Sequence, residues 1–146
     1  MAYTVNQQLI DRVGTEVAAR LTTDSGGVPD DDKVTAARAG AEGEVNAYLA
    51  PRWQTPVDLS VNAETSQAIT RMVLDLGEYA LKSLRQPVDE GSVRLRTDAI
   101  KFLKDLRDGT AALPGLVALA SPTSQGTGAE VSGSTRIFSR GSMDGF

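Results

Sequence analysis

Between residues 5 and 108 the apolar side chains recur at three- and four-residue steps, and Gly14, Pro29, Pro51, Pro56 and Pro87 cut the pattern into separate runs. Apolar stripes of that period line one side of an α-helix, and proline cannot continue a helix beyond its first turn. The chain is therefore expected to be all-α, a compact bundle of about four to five helices. At 146 residues it is long enough to bury one core and too short for two.

The first run places Val5, Leu9, Val13, Val17 and Leu21 at four-residue steps. Gly14 interrupts it, and a glycine costs about 1 kcal/mol relative to alanine inside a helix. Two short helices meeting at Gly14 are expected, with Thr4 or Asn6 capping the first and Thr15 the second. Residues 23–29 are a cluster of turn formers, followed by Asp30, Asp31 and Asp32. Carboxylates ahead of an apolar run suit a helix start, where one accepts from free amides and the others meet the positive end of the helix dipole. The helix that follows, over residues 31–49, carries Val34, Ala37, Ala41, Val45 and Tyr48 on one face, and Ala36, Gly40 and Gly43 keep it slim.

Pro51 ends that helix, and residues 51–61 form a proline-rich connection from which Trp53 is expected to fold back onto the core. Asn62 opens the most apolar run, with Ile69, Met72, Val73, Leu74, Leu76, Tyr79, Ala80, Leu81 and Leu84. So broad an apolar surface marks the central helix of a bundle. The last run, residues 90–108, alternates Val93, Leu95, Ala99, Ile100, Phe102, Leu103 and Leu106 with Arg94, Arg96, Lys101, Lys104 and Arg107, which predicts an amphipathic helix with a basic outer face.

Beyond Gly109 the composition shifts to Ser, Thr, Gly and Pro, and the apolar residues lose the helical period. The boundary is placed so that residues 1–113 form the helical domain and residues 114–146 an extended C-terminal arm with room for a short strand. Ile137, Phe138, Met143 and Phe146 are spaced along this arm, with Arg140 among them. Apolar anchors on a turn-rich segment suit docking into another surface, so these five are the candidate partner-binding residues. A loose terminus with chance hydrophobes is the plain alternative.

Chemistry is hard to find here. The chain has no histidine and no cysteine, which removes the commonest general base, the usual zinc ligands and any disulfide. The acidic loop around Asp24 and Asp30 lacks the ligand order of a calcium hand, since Gly26, Val28 and Pro29 occupy positions that such a loop needs. Asp75 and Glu78 lie one helical turn apart and could share a proton, but an edge position paired with Arg71 or Lys82 is the stronger reading. Gly26 and Gly27 lack the strand before and the Lys-Ser/Thr after that a phosphate loop requires. No catalytic, cofactor-binding or metal site is assigned. A net charge of -4 disfavours duplex nucleic acid as a specific partner, and no apolar stretch approaches the roughly 20 residues of a membrane span. A soluble protein made in a cytoplasm is expected.

Several local strings carry a resemblance: Leu9-Ile10-Asp11-Arg12-Val13-Gly14, Leu21-Thr22-Thr23-Asp24, Val45-Asn46-Ala47-Tyr48-Leu49 running into Pro51-Arg52-Trp53, Leu103-Lys104-Asp105-Leu106-Arg107-Asp108-Gly109, and the closing Phe138-Ser139-Arg140 and Gly145-Phe146. In this order the chain resembles a Mu-like phage and prophage family of small virion proteins. The resemblance implies a head-tail connector, or head-completion protein, in the virion neck. It further implies a ring of about twelve identical subunits between the portal protein and a tail terminator or tail-completion protein, with genome DNA passing through the lumen unbound. A small helical adaptor or regulatory protein that binds its partner through the same arm is the second expectation.

Overall fold

The computed structural model describes residues 2–25, 27–85 and 87–119. Over these residues the protein is all-α, with five helices: α1 (Asn6–Val13), α2 (Thr15–Thr22), α3 (Asp31–Leu49), α4 (Ala63–Lys82) and α5 (Glu90–Asp108). The helix starts follow from local chemistry. Asp30 caps α3 by accepting from the Asp32 and Lys33 amides, Asn62 caps α4 through Glu64 and Thr65, and Asp89 caps α5 through Ser92. Each supplies a side-chain oxygen to amides that have no partner within the helix.

α4 is the hub and touches all four other helices. Ile69, Met72, Val73 and Leu76 on α4 meet Ala41, Val45 and Leu49 of α3 and Ala99, Leu103 and Leu106 of α5, and Tyr3 and Val57 close this larger core. A smaller cluster of Leu9, Leu21, Val34 and Leu81 holds the α1–α2 corner against the opposite end of α3 and α4. Leu9 reaches α4 over Gly77, where an added Cβ would lie 3.1 Å from its side chain.

The α1–α2 corner corrects the first-run expectation. The break does fall at Gly14, whose φ of 93° lies in a region that side chains avoid. The turn rotates α2 relative to α1, so the stripe does not continue and Val17 is exposed while Leu9 and Leu21 stay buried; Val5, extended ahead of α1, is exposed as well. The caps differ too. Val5 is the N-cap of α1, its amide donating to Gln8 Oε1 at 3.0 Å, and Gly14 precedes α2 with no capping side chain. Thr4 and Asn6 instead tie α1 to α3. The Thr4 amide and hydroxyl donate to Glu42, while the Asn6 amide donates to Asp31 and Thr35 and its carbonyl accepts from Arg38. At the far end of α4 the helix stops at Lys82, which leaves Leu84 exposed rather than in the central core.

The outer face of α5 is mixed rather than basic. Arg94, Lys101 and Lys104 are exposed, but Glu90, Asp98 and Asp108 are exposed with them. Arg107 pairs with its neighbour Asp108, and Arg96 turns inward to Glu44 at 2.9 Å and onto the Tyr79 ring. No described helix is long and apolar enough to cross a membrane.

Candidate functional site

The connection after α3 positions the end of the molecule from which the arm departs. Trp53 does fold back: its amide donates to Leu49 O, and its indole N–H donates to Leu106 O at 3.0 Å, capping a carbonyl in the last turn of α5. Arg52 lies over the same indole, with its guanidinium carbon 5.4 Å from the ring centre. α5 ends at Gly109, which turns the chain in the left-handed conformation (φ 81°) back toward this connection.

From there the chain stays on the body. Ala111, Leu113 and Leu116 pack against the larger core, and the Pro114 carbonyl accepts from the Thr65 hydroxyl. The Gln54 amide donates to Val117 O at 2.8 Å and the Leu119 amide to Arg52 O at 2.9 Å, flanking an antiparallel bridge between Trp53 and Ala118. Residues 113–119 thus form a strap across the 51–62 connection. The assignment of residues 114–119 to the arm did not anticipate this packing. The signal was present in Leu113, Leu116, Val117 and Leu119, an apolar density unlike the Ser/Thr/Gly-rich sequence that follows. These residues keep no helical period, and an extended strap needs none.

The candidate arm residues Ile137, Phe138, Arg140, Met143 and Phe146 lie outside the described residues. The described residues end at Leu119, the last residue of the strap.

A second constellation gathers the carboxylates singled out above. Asp75 and Glu78 are buried, not on a polar edge. The cation they share is Arg12 of α1, which the helical spacing of α4 could not disclose. Arg12 Nη2 bonds Asp75 and Nε lies 3.2 Å from Glu78, while Arg71 stands 3.9 Å from Asp75. Lys82 reaches Glu78 at 2.8 Å, Asp89 at 2.9 Å and Ser92 Oγ at 2.8 Å, and the Ser92 hydroxyl donates to Glu78 at 3.1 Å. α1, α4 and the start of α5 are pinned together by one charge network.

The two carboxylates on Arg12 shift in opposite directions. Burial pushes the Asp75 carboxyl above its ordinary range, and the cations Arg12 and Arg71 only partly offset it. Burial acts on Glu78 as well, but hydrogen bonds from Lys82, Arg12 and Ser92 outweigh it and hold its carboxyl below the usual range. The number of donors explains the split, since Glu78 accepts from three side chains and Asp75 is served by one close cation. Exposed Asp89, held by Lys82 and by the Ser92 amide and hydroxyl, lies far below its ordinary value. Every member of the network is engaged by another protein group, which suits a clamp between helices.

In the acidic loop Asp30 serves as the α3 cap, Asp31 accepts from Asn6, and Asp24 pairs with Arg85 at 2.5 Å.

The chain matches the family model described as "Bacteriophage Mu, Gp36" over residues 3–132, a span that takes in all five helices and the strap. No curated protein matches it.

Proposed function

Since the chain belongs to the bacteriophage Mu Gp36 family, we propose that it is a structural head-tail connector subunit, assembled as a ring between the portal and the tail of a tailed phage. One observation carries the reading. A helical body with two apolar clusters among its described residues holds the strap at residues 113–119 by backbone hydrogen bonds, and so fixes where the segment from residue 120 begins.

In this reading the body supplies shape and the arm supplies attachment. A ring of identical subunits needs a different patch on each side of every copy, because a head-to-tail contact closes only when it does not pair with itself. The segment from residue 120, with Ile137, Phe138, Arg140, Met143 and Phe146, docks on the portal or on adjacent subunits, and the tail-completion protein meets the ring from the other side. The net charge of -4 lets genome DNA pass the lumen without lodging there. No chemical step is required of any residue.

The test is electron microscopy of phage particles carrying a bulky label fused after Phe146. Density for the label at the neck, between capsid and tail, is the expected result. A label found on the capsid surface or the tail tip, or particles that lack the protein altogether, would overturn the proposal.

A further inference from the structure

Three exposed apolar side chains lie along the strap and the connection beneath it: Val61, Val117 and Leu119, with 58%, 53% and 45% of their surface open to solvent. Val61 sits beside Gly115, where an added Cβ would come within 3.1 Å of it, and Val117 lines a recess of about 70 Å³ with Gln54, Pro56 and Val57. Along an extended chain Val117 and Leu119, two residues apart, share one side. The backbone points the same way. Residues 117 and 119 bond to the 52–54 strand, so the alternation of an antiparallel pair turns the Ala118 N–H and C=O outward, and neither has a partner among the described residues. Among the described residues the patch is therefore an open backbone edge at Ala118 beside an apolar row, a surface that takes an added strand.

We propose that this patch receives the arm of a second copy of the chain, with Thr135, Arg136, Ile137 and Phe138 adding a strand to the Ala118 edge and Met143 and Phe146 covering Val117 and Leu119. The inference rests on the ring reading above and deepens it by naming the contact between neighbours. Thr135 to Phe138 is the β-branched and aromatic stretch of the chain beyond the strap. The reach is ample. The 16 residues from 120 to 135 span about 55 Å when extended, nearly twice the length of a 20-residue helix such as α4. That is far more than a return to the copy's own Val117 requires and enough to cross an adjacent body. An arm given and an arm received by every copy is a head-to-tail contact, the kind that closes into a ring.

Two full-length variants test the contact by complementation in sedimentation experiments. One carries Val117→Asp and Leu119→Asp, which spoil the patch and leave the arm; the other carries Phe138→Asp and Phe146→Asp, which spoil the arm and leave the patch. The unmodified chain should associate as its concentration rises, and each variant alone should associate about tenfold or more weakly. An equimolar mixture should regain a one-to-one complex, because one intact arm then meets one intact patch. Unchanged far-UV circular dichroism controls for folding, and Val117→Ser with Leu119→Ser replaces the patch variant if that control fails. An unmodified chain that stays monomeric throughout, or a mixture that stays as two monomers, would overturn the inference. Neither result moves the label after Phe146 away from the neck, so the contact can fail while the connector reading stands.

Discussion

Arg12 is the residue on which the charge network turns. Removing it leaves Asp75 and Glu78 buried beside each other with less compensation, and a buried pair broken from one side costs about 3–5 kcal/mol. The Arg12 side chain is 31% exposed, so solvent screens part of that and Arg12→Ala should cost about 2 kcal/mol in urea denaturation. The network also sets the acid limb of stability. Glu78 and Asp89 have folded pKa values below their unfolded ones, so their contribution is complete above the ordinary carboxylate range and is lost as pH falls through the lowered values. Asp75 acts in the opposite sense, since its charge weakens the fold above its raised pKa and protonation relieves that. Thermal melts from about pH 6 to about pH 3 should therefore show a falling Tm, with a shallower fall in Glu78→Gln. Asp75→Asn should cost less than Glu78→Gln at neutral pH; equal losses would contradict the assigned directions. Helical spacing disclosed the pairs within α4, Arg71 with Asp75 and Lys82 with Glu78, but it matches residues three and four apart on one helix and cannot see Arg12 arriving from another.

At the scale of elements, caps and breakers did most of what the sequence could do. Asp30, Asn62 and Asp89 each stand one residue before a helix and accept from its first amides. Asp30→Ala should lower stability by about 1 kcal/mol, the ordinary worth of an N-cap, and fray the first turn of α3 in amide exchange. Full protection at Lys33 in that variant would count against the assignment. At the start of the chain the pattern is less informative, because a four-residue apolar repeat does not say whether the axis continues. Gly14 bends it, and beyond the bend Val17 faces water while Leu21 stays buried. The strap shows the converse, since extended residues become part of the body through hydrogen bonds to a connection about sixty residues earlier in the chain, and no local period announces that.

For the molecule as a whole, the described residues through Leu119 hold two apolar clusters and the strap, and the connector proposal gives the segment from residue 120 to attachment. A chain ending at Leu119 should keep its helix content and melt within about 2 °C of the full protein, yet fail to join particles. A chain ending at Leu113 should melt lower still, having lost Leu116 and the backbone bonds of Val117 and Leu119. Equal incorporation of the shorter chain into phage particles would remove the arm from the connector proposal.

The sequence alone determined the elements: the helical segments, the starts of α3, α4 and α5, the break at Gly14 and the central rank of α4 follow from apolar period, cap residues and prolines, which act within a few residues of one another. Tertiary structure alone decided that Arg12 belongs to Asp75 and Glu78, that Val5 and Val17 face water, and that the strap lies on the Arg52–Gln54 backbone. Each of these joins residues far apart in the chain, where partners are chosen by helix orientation and competition for burial, and neither quantity is written in a local pattern.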